Sequence, residues 1–255
     1  MKRILVSNDD GVSAPGLEAM VGALAPLAEV IVMAPLTEQS ASSHALTLRH
    51  PLRVRTIAPG RMAVDGTPTD CVLLALKEFL PEPPHLVVSG INQGPNMGED
   101  VIYSGTVAAA MEGALLGVPA IAVSLAAAPP HDFVQAARLA AELARALVAS
   151  RPSRPVLLNL HVPPGLVRGW RLARLGKRTY GNEVVTKIDP RGRRYYWIGG
   201  EGGAVNHDIP GSDCNAVGEE GLASVTPLQL DATDGEALEA LGSLRLPTHP
   251  REPGP

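Results

Sequence analysis

A chain of 255 residues that is 45% apolar and 19% charged has enough hydrophobic material for one large core, which excludes a mostly disordered polypeptide. Its net charge of −4 gives no support to general nucleic-acid binding, and two cysteines, Cys71 and Cys214, without CxxC spacing argue against a disulfide scaffold or a structural zinc site. Only two Phe, four Tyr and two Trp are present, so the core must be aliphatic, as in parallel strands covered by small-residue helices.

Ile4-Leu5-Val6 is a short buried strand, cut off by polar Ser7-Asn8-Asp9-Asp10. That interruption is too early for a signal peptide, and no run reaches the ~18 apolar residues of a membrane span, so a soluble, cytoplasmic protein is expected. Leu17, Met20, Val21 and Leu24 follow with helical spacing, with Pro15 in the first turn, and Val30-Ile31-Val32-Met33 is a second strand. This is a β-loop-α-β unit whose crossover should be right-handed, yet its loop lacks GxGxxG and holds Asn8-Asp9-Asp10-Gly11 instead. Residues 36–45 are polar and Ser-rich, and Leu46 to Ile57 alternates like a strand. Thr67-Pro68-Thr69-Asp70 opens a helix with Val72, Leu73, Leu76 and Leu80 on one face. The strand Leu86-Val87-Val88 ends in Ser89-Gly90-Ile91-Asn92. A helix from Thr106 to about Leu116 should bury Val107, Ala110, Met111, Ala114 and Leu115, closed by Gly117 and Pro119. Strand 120–124, helix 132–149 and strand 156–162 complete an α/β core over 1–165, a doubly wound, mostly parallel, Rossmann-like sheet.

Residues 166–200 differ in kind. Nine Arg and Lys against two acids give +7, leaving −11 elsewhere, and five of the eight aromatics fall here: Trp170, Tyr180, Tyr195, Tyr196 and Trp197. Asp189-Pro190-Arg191-Gly192 is a turn between two strand-like runs, which predicts a long projecting β-hairpin. A segment over 201–246, with an apolar strand from Ala223 to Leu230, returns to the body, and a frayed tail is expected over 247–255.

Asp9 and Asp10 fall just past the first strand, at the sheet edge where open α/β folds bind ligands. Adjacent carboxylates repel, and a divalent cation with oxygen ligands, Mg²⁺ or Mn²⁺, would neutralise them. Equally, Asp9 can cap the following helix while Asp10-Gly11 makes a turn. Asn92 and Asn96 sit in the glycine-rich run Gly90 to Gly98, either as ligands or as turn residues. Ser104, Gly105 and Thr106 begin a helix, where free N–H groups suit a phosphate, although ordinary capping uses the same residues. No GxxxxGK[ST], GxSxG or HExxH is present, and the seven histidines show no ligand spacing.

Together these segments resemble the SurE family of nucleotidases: Ser7-Asn8-Asp9-Asp10-Gly11, Gly66-Thr67-Pro68-Thr69-Asp70-Cys71, the run from Val88 to Gly113, Asp189-Pro190-Arg191-Gly192 and Thr226-Pro227-Leu228. The resemblance implies a metal-dependent phosphomonoesterase acting on nucleoside 5′- or 3′-monophosphates, with cleavage of short polyphosphates left open. It implies one divalent metal ion per subunit on Asp9, Asp10, Ser40 and Asn92. Joined with the residue reading above, it makes Asp9 and Asp10 the expected catalytic pair and Asn96, Ser104, Gly105 and Thr106 the expected phosphate-binding set. It also implies a homodimer or homotetramer, with the hairpin and an exchanged C-terminal segment joining subunits. Two positions depart from the family pattern. Ser-Gly-Ala-Ser reads Ser40-Ala41-Ser42-Ser43, and Leu-Asn-x-Asn-x-Pro reads Leu158-Asn159-Leu160-His161-Val162-Pro163. The alternatives are a nucleotide-binding regulatory module without hydrolysis and, for the basic hairpin, a single-stranded nucleic-acid platform.

Overall fold

Strand β1 (Arg3–Ser7), helix α1 (Pro15–Leu24) and strand β2 (Glu29–Pro35) form the expected first unit, with Pro15 at the start of α1. Ile4 and Val6 pack on one face of the sheet and Leu5 on the other, so both faces of β1 are buried. The structure is a computed structural model, and it describes residues 2–150, 152–179, 184–198, 204–206 and 209–244. The expected tail over 247–255 lies outside them.

β3 (Val54–Ala58) pairs antiparallel with β4 (Arg61–Val64), which in turn lies parallel to β2. The alternation from Leu46 therefore forms a strand only from Val54, and β4 went unforeseen because four residues are too few for a pattern. Helix α2 (Pro68–Leu74) starts with the capping box Thr67/Asp70 and then widens into a π turn over Ala75–Phe79. Cys71, Val72 and Ala75 are buried, and Leu76 and Leu80 pack against the same cluster, while Leu73 does not join the core.

β5 (Leu86–Gln93), α3 (Gly105–Leu115), β6 (Ala120–Leu125), α4 (Val134–Ser150) and β7 (Leu157–Val162) complete the parallel body. In α3, Val107, Ala110 and Ala114 are buried as expected, Met111 is half-buried, and Leu115 is exposed. Helices α1 and α4 cover one face through Leu17, Met20, Ala136 and Ala140, and α2 and α3 cover the other. A Cβ at Gly113 would stand 2.7 Å from Val87, so glycine lets α3 approach the sheet closely.

Beyond the body lie β8 (Trp170–Leu172), β9 (Lys177–Thr179), β10 (Val184–Ile188), β11 (Arg194–Ile198), β12 (Ala204–Asn206), α5 (Asp213–Gly218), β13 (Ala223–Leu228) and α6 (Gly235–Ala240). The nine-stranded main sheet has the order β3-β4-β2-β1-β5-β6-β7-β13-β8. β13 returns to the body as expected, antiparallel to β7, and ends at Leu228; β8 then joins it in parallel, taking Trp170 out of the hairpin and into the sheet. β10 and β11 form the predicted hairpin, closed by Asp189, whose side chain accepts from the Arg191 and Arg193 backbone N–H groups at 2.9 Å.

Candidate active site

The chain enters the sheet at β1, builds β2 and β4 on one side, then crosses back to place β5 on the other. The carboxyl ends of β1 and β5 thus flank the switch point at which open α/β sheets bind ligands. Asp9 and Asp10 leave β1 there, and Asn92 lies near the end of β5, beyond a register shift between Ser89 and Asn92. Asp9 does not cap α1, whose N-cap is Ala14 without a side-chain hydrogen bond. The carboxylate instead receives the Thr106 hydroxyl at the start of α3. Gly105 permits this approach, since a Cβ there would stand 2.9 Å from the Asp9 Cβ and 2.8 Å from Ser42 Oγ.

A cleft of about 390 Å³ opens over this pair, lined by Asp9, Asp10, Asn92, Asn96, Ser104 and Ser40, with Glu38, Asp100 and Tyr103 around them. Gly105 and Thr106 stand behind Asp9 rather than on the wall. Burial raises the pKa of Asp9. Burial and then the neighbouring Asp9 charge raise that of Asp10 to about 6. Asp10 Oδ2 is buried without a hydrogen-bond partner among the described residues. Among the described residues the lining includes no Lys, Arg or His, so the cleft gathers carboxylates with no described side chain of opposite sign beside them.

Neutral oxygens complete the wall. Asn92 donates its amide nitrogen to the Gly94 carbonyl at 2.9 Å, which leaves the carboxamide oxygen as its acceptor. Ser40 donates its hydroxyl to Glu38 at 2.6 Å and so keeps its lone pairs for another partner. The Gln39 N–H bonds the Asp9 carbonyl at 2.7 Å, and Ser43 bonds the carbonyls of Ile102 and Tyr103, which pins the Ser-rich loop over the cleft. Ser104 does cap α3, accepting from the Val107 N–H at 3.0 Å, and its own hydroxyl hydrogen can still be donated into the cleft. Two carboxylates with the oxygens of Ser40 and Asn92 make a hard-cation donor set. Among the described residues no three His, Cys, Asp or Glu side chains gather as a metal cage.

Glu38 and Ser124 escaped the sequence reading, and Asn159 and His161 stood in it only as a departure without a role. Glu38 stands two positions before Ser40 and adds to the negative field on both aspartates. His161 and Asn159 on β7 and Ser124 on β6 are fully buried beneath Asn96. The first two come from the segment that departs from the family pattern. Burial pushes the His161 pKa down to about 4, against an upward pull from Asp213, so the imidazole is neutral near pH 7. In the unfolded chain His161 titrates at its ordinary value, so its contribution to stability is full above about pH 6.5 and is lost as pH falls towards 4. About 3 kcal/mol is at stake over that window. Urea melts at pH 7 and 4.5 should show a smaller acid loss for His161→Asn than for the parent, and an equal loss would contradict the neutral assignment.

An open α/β sheet with an acidic pair at its switch point, a neutral-oxygen wall and a helix N-terminus behind it defines a protein of the doubly wound class with a cleft at its switch point. Comparison places it more narrowly. Residues 4–182 match the family described as Survival protein SurE, and the chain belongs to that family. It is 63% identical over 254 residues to the 5′-nucleotidase SurE of Anaeromyxobacter sp. (strain K), covering 99% of this chain and 100% of that one. With the protein of the same name from Myxococcus xanthus (strain DK1622) it shares 55% over 239 residues, 91% of this chain and 89% of the other. The crystal structure of the SurE protein from Aquifex aeolicus superposes with a TM-score of 0.84 at 38% identity, covering 95% of this chain and 99% of that one.

Proposed function

We propose that this chain is a phosphomonoesterase that hydrolyses nucleoside 5′-monophosphates, with 3′-monophosphates and short polyphosphates as secondary substrates. The reading assigns it one divalent cation, Mg²⁺ or Mn²⁺, held by Asp9, Asp10, Ser40 and Asn92. One observation carries this reading: the cleft holds Asp9, Asp10, Glu38 and Asp100 with no basic side chain lining it among the described residues, a charge that a cation would offset for an entering phosphate. The relatives named 5′-nucleotidase SurE support the substrate class. When bound, such a cation polarises a phosphoryl oxygen and favours ionisation of water.

The chain's own groups supply the positioning. Asn96 gives one amide hydrogen to Ser124 and keeps the other for a phosphoryl oxygen. Ser104, on the cleft wall at the N-cap of α3, meets a further oxygen through its hydroxyl as charge develops. Thr106 also holds Asp9 in orientation through its hydroxyl. Water attacks phosphorus, the bond from phosphorus to the nucleoside oxygen breaks, and nucleoside and inorganic phosphate leave. Direct attack inverts the configuration at phosphorus, so adenosine 5′-phosphorothioate made chiral with ¹⁶O and ¹⁸O and hydrolysed in H₂¹⁷O should yield thiophosphate of inverted configuration. Retention would point to an aspartyl-phosphate.

Free phosphate measured across a panel of 5′- and 3′-monophosphates and short polyphosphates tests the function, with release from the 5′-monophosphates expected first. Binding of AMP without release would replace the enzyme with a regulatory module. In the same reading the chain works as a homodimer or homotetramer. Val184, Ile188, Tyr196, Trp197 and Ile198 are exposed along the hairpin, and α6 buries none of its own residues, which supports a partner subunit over both. Light scattering should give a dimer or tetramer, reduced towards monomer by Trp197→Asp with Ile198→Asp. A monomeric parent would refute this. Among the described residues no helix is long and apolar enough to cross a membrane.

A further inference from the structure

The loop that carries Asn96 is held from below at every polar atom the fold can reach. The Asn96 backbone N–H donates to His161 Nε2 at 3.1 Å, and its carbonyl accepts from Asn159 Nδ2 at 3.1 Å. Its side-chain nitrogen donates to Ser124 Oγ at 2.9 Å. Ser124 and His161 are register partners on β6 and β7, and His161, Asn159 and Ser124 are all fully buried. Two residues on, the Gly98 N–H donates to Asp213 Oδ2 at 3.0 Å, while Oδ1 accepts from Gly176 at 2.7 Å and Cys214 at 2.8 Å. Met97, between the two anchors, packs against Cys214 and Val217.

We propose that His161 is a positioning residue of this site, whose imidazole fixes the Asn96 backbone so that the Asn96 carboxamide presents its remaining hydrogen to the phosphoryl group. The proposal rests on the reading of Asn96 as a phosphate-binding residue. Chemistry singles out His161 for this task. Its Nδ1 is buried without a partner among the described residues, a cost that an apolar side chain at the same point would avoid. What the imidazole supplies in return is the acceptor at Nε2, which requires the neutral ring with its proton on Nδ1. A strand residue is a rigid place for that acceptor, and an error near 1 Å in a phosphate contact is enough to cost a large part of a rate.

The test compares His161→Leu, His161→Asn and Ser124→Ala with the parent in AMP hydrolysis, Mn²⁺ affinity, inorganic phosphate affinity and melting temperature. His161→Leu removes the acceptor and should lower kcat/KM at least 10-fold and weaken inorganic phosphate, with Mn²⁺ affinity within 3-fold of the parent. His161→Asn supplies a shorter acceptor and should recover most of the loss. Ser124→Ala, a smaller deletion that keeps the fold, should lower kcat/KM about 5-fold if His161→Leu does not fold. A purely structural His161 would lower melting temperature while leaving kcat/KM per folded molecule unchanged, and that result overturns the proposal, as does an equal loss in His161→Asn and His161→Leu at equal stability. Asn96→Ala separates the two ideas. Full activity there defeats the phosphate-binding reading itself, whereas lost activity there with a fully active His161→Leu defeats only the positioning role.

Discussion

Asp10→Asn in chelator should melt above the parent and gain nothing from Mn²⁺. Asp10 and Asp9 are consecutive acids held in a cleft with Glu38 and no basic lining, and burial and Asp9 together raise the Asp10 pKa to about 6. Ionising that group in the folded chain costs free energy that the unfolded chain does not bear. Because Asp10 is only partly buried, solvent screening reduces the gain from removing it to about 1–2 kcal/mol. The sign follows from the raised value. The parent's advantage from protonated Asp10 is complete below about pH 4 and is lost as pH rises through about 6, whereas the variant is insensitive in that window. On the proposed reading Mn²⁺ should stabilise the parent by binding the folded form, and the variant lacks half of the charged donor set. Phosphate release should fall roughly 10²–10³-fold. A variant that still melts higher with Mn²⁺ and still turns over would remove Asp10 from the site.

Gly105→Ala should separate stability from activity in the opposite way. Gly105 is the first residue of α3, after the N-cap Ser104, so alanine there leaves the rest of the helix intact. The added Cβ, however, would stand 2.8 Å from Ser42 Oγ, 2.9 Å from Asp9 Cβ and 3.0 Å from Asp9 Oδ2. Either Asp9 or the loop holding Ser42 must move, and both border the cleft. A displacement near 1 Å costs about 100-fold in rate. Circular dichroism should therefore report a native helix content while kcat/KM for AMP falls by about two orders of magnitude. A variant within a few-fold of the parent would mean that the contact between Asp9 and α3 has no catalytic consequence.

The sheet body was readable because burial on both faces makes each strand a short apolar run, as with Leu86-Val87-Val88 and Ile4-Leu5-Val6. The capping box at Thr67 and the turn at Asp189 were readable for the same local reason, since each places its chemistry within a few residues. Short and irregular pieces were not: β4 has four residues, and the π turn after α2 has no period to detect. The acidic pair announced itself by adjacency, whereas Ser40 came only from the family resemblance, because a Ser-rich loop carries no physical signal. The supports beneath Asn96 were out of reach altogether. His161 lies 65 residues from Asn96, and Asp213 lies 115 from Gly98, so only the packing of β7 and α5 joins them to the cleft.

The central claim is that a cation in this carboxylate-lined cleft is what admits and activates a phosphomonoester. Free phosphate released from AMP by the purified chain, stripped with EDTA and then titrated with Mn²⁺, tests it most directly. The account predicts no release in EDTA and release that rises and saturates with Mn²⁺. Equal phosphate release in EDTA and in Mn²⁺ would contradict it.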